Sequence, residues 1–251
     1  AVRGAIDEMM KILFLGANPL DSPRLRIHAE LRDIKENLKG LSNPENIQIH
    51  AELAVRSDDL SGLLLDTRPD IVHFSVHGTI RVQPVARTGT TREFNSGDDD
   101  VPPQKSSETA IVVEDGVGQA VPISSAALTG LFGILKTQRC IVLNACFSAE
   151  QAKALTHHVD CVIGMKRAID DASAIAFAKG FYEALSRGTT VKEAFGLGIN
   201  RIVRNNLPDA DVPQLYPEDG INAAKLRFVQ PSKSQTDVEP HAAKPHNESS
   251  Y

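Results

Sequence analysis

The chain has few cysteines, no excess of basic residues and no long apolar run. Each of these absences closes off a class of protein. Three thiols in 251 residues are too few, and odd in number, for a disulfide framework, so a reducing, cytoplasmic setting is expected. No apolar run approaches the ~20 residues of a membrane-spanning helix, and no membrane partner is expected. The first ten residues carry Asp7 and Glu8 without a long apolar core, unlike a secretory signal. They also lack an initial Met, and the chain is expected to be processed or cut from a longer one. Lys and Arg total 27 against 32 Asp and Glu, for a formal net charge of -5. A surface that tracks phosphates needs clustered cations, so nucleic acid is not an expected direct partner. The turn Gly16-Ala17-Asn18-Pro19 lacks the further glycines of a dinucleotide site. His157, His158 and Cys161 have no second ligand pair at zinc spacing. No metal and no organic cofactor is expected.

Two stretches cannot contribute to a core. Residues 231–251 contain no Ile, Leu, Phe or Met and read as a disordered tail. Residues 81–108 are polar, rich in turn formers and too long for an ordinary connection, so they read as a flexible insert. Residues 1–10 form a lead or linker. What remains, within 11–230, is a single-domain unit of roughly 190 residues.

Inside it, short apolar runs alternate with helical periodicity. KILFLGA at residues 11–17 suits a buried parallel strand, and Ile27, Leu31, Ile34 and Leu38 follow at the spacing of one helix face. Strand-like runs recur at 47–55, 71–77, 140–146 and 161–165, with a last short one at 226–229. Asp115-Gly116 beside residues 111–113 suggests a hairpin turn. Helices are expected around Leu60 to Leu64, after a cap at Ser124, at 148–157, at 170–186 and at 190–205. This alternation predicts an α/β fold in three layers, with a mainly parallel sheet flanked by helices.

In such a sheet, sites form beyond the carboxyl ends of the strands. His77 closes IVHFSVH and Cys146 closes CIVLNAC, so neighbouring strands would deliver both to one edge. A helix starting near Ser148 and an imidazole both favour a thiolate. Gly78 and the backbone at Cys146 offer N–H donors for an oxyanion. A Cys ending an apolar strand is also ordinary packing, the reading that Cys140 and Cys161 receive. His73 and Ser75 share the strand face of His77 and read as satisfied core groups.

The strings ILFLGANP, PDIVHFSVHG, VLNACFS and VIGMKRAIDDASAIAFAKGFYEAL, followed by FGLGINRI and DVPQL, together resemble the CHAT domain. This is a bacterial caspase-like (clan CD) cysteine peptidase family related to separase, and the resemblance runs from about residue 11 to 215. It implies a caspase-like fold and a catalytic dyad of His77 and Cys146, with Gly78 and Cys146 at the oxyanion hole. Val76 stands where the family's usual string has Gly. The resemblance further implies a protein or peptide substrate, a sensor or activator protein as partner, and an effector role in bacterial defence or signalling. The alternative function is a catalytically silent CHAT-like interaction module. Asp170 and Asp171 lie where the likeness to separases suggests a substrate pocket favouring a basic residue, although Asp at a helix start is also a preferred cap.

Overall fold

A computed structural model of the chain describes residues 9–39, 47–84 and 105–230. The main sheet has six strands, with apolar sequence runs in its four central ones: β1 (Met10–Gly16), β2 (Ile47–Leu53), β3 (Ile71–Ser75), β7 (Cys140–Asn144), β8 (Cys161–Met165) and β9 (Pro213–Pro217), of which β2 and β9 are the edges. Their order is β2-β1-β3-β7-β8-β9, parallel throughout except for β9, which runs antiparallel to β8. A second sheet is antiparallel, in the order β4 (His77–Pro84), β5 (Lys105–Glu114), β6 (Ala120–Ser124).

Side chains of each central strand alternate between two cores, as the period of a strand requires. Ile12 and Phe14 face α1 (Ile27–Lys39), α5 (Asp171–Leu185) and α6 (Val191–Arg204), with Leu31, Phe181 and Ile202 in the same cluster. Leu13 and Leu15 join Leu60, Leu64, Leu128 and Leu155, contributed by α2 (Asp59–Thr67), α3 (Ser125–Leu135) and α4 (Ala149–Leu155). The fold is therefore the expected three-layer α/β sandwich. The second core also takes Ile111, Val113 and Ile123, so the small sheet packs on the same side as α3 and α4.

Helix ends follow local side-chain chemistry. Ser124 Oγ accepts the Ala127 N–H at 3.2 Å. Thr190 and Glu193 form a reciprocal capping box at the start of α6.

Four expectations are corrected. The strand before His77 ends at Ser75, and His77 instead opens β4, because the chain leaves the main sheet at Val76. The strand before Cys146 ends at Asn144. Residues 81–84 and 105–108 are not loop: they pair as Arg81 with Glu108 through Pro84 with Lys105, extending the β4–β5 ladder. Only 85–104 of that insert lies outside the described residues, as do 1–8 of the lead and the whole of 231–251. No strand forms at 226–229. Its apolar residues Leu226 and Phe228 instead pack as irregular chain into the first core, and the last strand is β9. The hairpin turn at Asp115 does join β5 to β6, with Asp115 Oδ1 accepting the N–H groups of Val117 and Gln119.

Candidate active site

Ser75 and Asn144 are register partners at the ends of adjacent strands β3 and β7. His77 and Cys146 each lie two residues further on, so the sheet delivers both to one edge. The contact between the two segments is close. A Cβ built on Gly78 would sit 1.7 Å from the Cys146 carbonyl oxygen and 2.9 Å from its nitrogen. Only glycine allows the main chains of 78 and 146 to touch in this way.

The His77 ring is held from its other side. Nε2 lies 2.6 Å from the carbonyl oxygen of Pro23, in the loop between β1 and α1. A carbonyl has only lone pairs, so Nε2 carries the ring proton and donates it. This leaves Nδ1 as the nitrogen able to take a proton from an acid.

The turn bearing Cys146 is fixed by its neighbours. Phe147 has φ +58°, a left-handed conformation that a bulky residue adopts at a cost of about 1–3 kcal/mol. Ser148 compensates: its buried hydroxyl donates to the Leu143 carbonyl at 3.0 Å and accepts the Met165 N–H at 2.9 Å. Gly164 allows α4 to lie directly on β8, since a Cβ there would meet Ala152 Cβ at 2.7 Å and the Ser148 carbonyl at 2.9 Å. The short helix α4 thus follows the Cys146 turn with its first residue pressed on the neighbouring strand.

His77 and Cys146 line one cavity together with Leu25, Arg26, Ile27, Glu30, Ser75, Val76, Asn144, Ala145, Ile169, Asp171, Ala174 and Ile175. The structure separates the two aspartates. Asp170 caps α5, its Oδ1 accepting the Ala172 N–H at 2.9 Å. Asp171 borders the cavity, and its Oδ2 accepts the Arg26 N–H at 2.9 Å. Val76 is 2% exposed and belongs to the second core with Phe74 and Ala145, so the core absorbs the bulk that a glycine would lack.

The loop between β8 and α5 that borders the cavity is anchored by charge. Buried Asp209 accepts Arg167 Nη1 at 2.8 Å and the Asp170 N–H at 2.9 Å. Burial alone would raise the Asp209 carboxyl, but these hydrogen bonds outweigh it and hold the group below its ordinary value.

His73 and Ser75 are satisfied core groups as expected, but sequence reasoning missed the buried Glu30 carboxylate that satisfies them beneath His77 and Cys146. His73 Nε2 lies 3.0 Å from Glu30 Oε1, and its Nδ1 lies 3.0 Å from the Tyr182 hydroxyl. Ser75 Oγ donates to Glu30 Oε2 at 2.5 Å, and Asn144 Nδ2 donates to Oε1 at 2.7 Å. Burial pushes the Glu30 carboxyl up. Attraction to His73 and hydrogen bonds from His73, Ser75 and Asn144 overcome that and bring it below 4.5. The available signal was a carboxylate at i+3 from Ile27, on the apolar stripe of an amphipathic helix.

The sign of that shift fixes a pH dependence. A carboxyl whose folded value is depressed contributes stability above its unfolded value, and the contribution is lost as pH falls through the folded value. The melting temperature is expected to drop as pH falls below the ordinary Glu value of 4.5. Glu30→Gln is expected to lessen that drop in thermal melts across the acid range. An unchanged slope would separate Glu30 from acid lability.

The other two thiols are structural. Cys140 and Cys161 are register partners in β7 and β8 and are fully buried. The neighbouring Cys140 thiol and burial both push Cys161 well above the ordinary thiol range. Among the described residues, no group of three or more His, Cys, Asp or Glu side chains is arranged to hold a metal ion. Nor is any described helix long and apolar enough to cross a membrane.

The model of the CHAT domain family matches residues 12–206. A probable protease of Gillisia limnaea is 23% identical over 177 residues, which is 70% of this chain and 27% of that protein. A Roc-COR-CHAT protease from an unknown prokaryotic organism is 23% identical over 222 residues, covering 85% of this chain and 18% of that protein. The chain thus spans about a quarter or less of these relatives' length. Among solved structures, it resembles a secreted C11 cysteine protease from Bacteroides thetaiotaomicron. There the TM-score is 0.54 at 9% identity, covering 84% of this chain and 67% of the other. It also resembles caspase-1 from Spodoptera frugiperda, with TM-score 0.51 at 11% identity over 91% and 92% of the two chains. Matched by the family model over most of its length, the chain belongs to the CHAT domain family and has the caspase-like fold.

Proposed function

We propose that the chain is a cysteine endopeptidase in which Cys146 is the nucleophile and His77 the general acid and base. The observation that carries this reading is the pairing of the two segments. Gly78 lets the His77 strand lie on the Cys146 main chain, and the Pro23 carbonyl sets the His77 tautomer. In the proposed reaction the Cys146 proton passes to His77 Nδ1, and the sulfur attacks the scissile carbonyl carbon. The N–H groups of Gly78 and Cys146 receive the developing oxyanion. The C–N bond then breaks as His77 returns the proton to the leaving amine, giving a thioacyl-enzyme. Water, deprotonated by His77, releases the acid and regenerates the thiol.

Asp171 supports a preference for a basic residue before the scissile bond. Its carboxylate borders a cavity of about 30 Å³ walled by Leu25, Ile27, Ile169 and Ile175, too small to enclose a side chain, so the head of Arg or Lys would meet Asp171 at the cavity mouth. Asp170, engaged as the helix cap, has no such part. The names of the protease relatives support protein substrates, and we propose an effector role in bacterial defence or signalling with a sensor or activator as partner.

Digestion of a peptide library tests the reading. Cleavage is expected after Arg or Lys, with fragments absent when Cys146 is replaced. Asp171→Asn is expected to reduce the preference for basic over neutral residues by about tenfold. Cleavage with no basic preference would remove Asp171 from specificity. Cleavage that persists without Cys146 would overturn the peptidase mechanism, and a library left whole even with a partner present would favour an interaction module.

A further inference from the structure

The buried carboxylate of Glu30 does more than satisfy a core histidine. It is 3% exposed, sits in the first turn of α1 and reaches beneath the carboxyl edge of the main sheet. Its three donors come from two strands. Ser75 closes β3, Asn144 closes β7, and His73, also on β3, is itself bonded to Tyr182 of α5.

The directions of these bonds are set by chemistry. An ionised carboxylate only accepts, so His73 donates from Nε2 and Ser75 and Asn144 donate as well. The other ring nitrogen of His73, Nδ1, lies 3.0 Å from the Tyr182 hydroxyl, which ties the ring to α5. Burial pushes the Tyr182 phenol well above its ordinary range, so it keeps its proton. The three direct donors, from His73, Ser75 and Asn144, all point toward one anion.

The positions of Ser75 and Asn144 matter most. They are register partners, and each lies two residues before a member of the dyad. Past them the strands no longer pair in the main sheet: one chain turns into β4 and the other into the strained turn at Phe147. Beyond that pair the Val76 N–H still reaches the Asn144 carbonyl, but the bond is long at 3.4 Å. Glu30 therefore bridges the two strand ends where the backbone ladder stops.

We infer that Glu30 is the positioning residue of the dyad, which clamps Ser75 to Asn144 and so fixes the spacing between His77 and Cys146. The inference rests on the proposed dyad, and its test separates the two. The readout is the rate at which iodoacetamide alkylates Cys146 in the full chain, which needs neither substrate nor activator. Peptide mass mapping reports the site, and Cys140 and Cys161 stay unlabelled while the core is closed.

The measured quantity is the ratio of that rate with His77 present to the rate in His77→Ala. The ratio is expected to be about tenfold or more in the wild-type background. In Glu30→Ala it is expected to fall below about twofold, because both oxygens that join Ser75 to Asn144 are removed. A merely structural role would lower the melting temperature and leave the ratio intact. Ser75→Ala removes one arm of the clamp at little cost in volume, and an intermediate ratio is expected. A wild-type ratio in folded Glu30→Ala overturns the inference, as does a wild-type ratio in Ser75→Ala should Glu30→Ala fail to fold. A ratio of one in the wild-type background overturns the dyad itself, and the clamp with it.

Discussion

Cys146→Ala is expected to take peptide cleavage to background, a loss of at least about a thousandfold in turnover, while leaving the fold in place. The residue lies in a turn that other groups hold: Ser148 bonds β7 and β8, and Gly164 seats α4. Its side chain is partly exposed, unlike Cys140 and Cys161, which are sealed inside the sheet. Removing one sulfur from such a turn is expected to change stability by less than about 1 kcal/mol, or a few degrees of melting temperature. Single-turnover cleavage of a fluorogenic peptide beside a thermal melt separates the two effects. Turnover within tenfold of wild type would take Cys146 out of the mechanism.

Gly78→Ala is expected to be as damaging by a different route. The added methyl would lie 1.7 Å from the Cys146 carbonyl oxygen and 2.7 Å from its carbon. Both are main-chain atoms, so no rotamer change relieves the overlap. Either the first rungs of β4 or the Cys146 turn must move by an ångström or more. Overpacking of this kind costs about 1–3 kcal/mol, and a displacement of that size at reacting groups costs about a hundredfold in rate. Both the melting temperature and kcat/KM are expected to fall together. Gly62→Ala supplies the contrast: it lies in α2 with nothing within 4 Å of an added methyl. There a gain of up to about 1 kcal/mol is expected from helix propensity. Full activity in Gly78→Ala would mean that the two main chains are not in contact in solution.

Much of this architecture is legible in the residues. The apolar runs at 11–17, 71–75, 140–144 and 161–165 mark the parallel core, because strands covered on both faces are apolar throughout. Ser124, Asp170 and Thr190 mark helix starts because a cap is local chemistry, settled within three residues. The β5–β6 hairpin was signalled by Asp115-Gly116, but β4 was hidden for the opposite reason. Strand β4 meets its partner β5 only across residues 85–104, and polar edge strands lack the apolar signature of a core. β9 escaped notice because Pro213 and Pro217 bound a strand of five residues. At the site, His77 and Cys146 of the proposed dyad stood out because each follows an apolar strand run. The group that orients His77 is a main-chain carbonyl at Pro23, which leaves no trace in residue type. Glu30 stood on an apolar helix face, where a carboxylate is anomalous, yet only the fold shows which strand ends it joins.

His77 is the first rung of the small sheet, paired with Val112, and not the last of the large one. Its availability therefore follows the local opening of β4–β5 and not the global unfolding of the domain. Proteins open in cooperative pieces whose free energies range from near zero to the full stability. The ladder is lopsided: His77, Gly78 and Thr79 are partly exposed and Ile80 is exposed, whereas Val112 is buried beside Ile111 and Val113, so local opening falls on the β4 side. If the proposed dyad operates, the fraction of molecules able to use it is thus capped by how often the His77–Val112 rung is closed, and amide exchange along β4 is expected to report that opening.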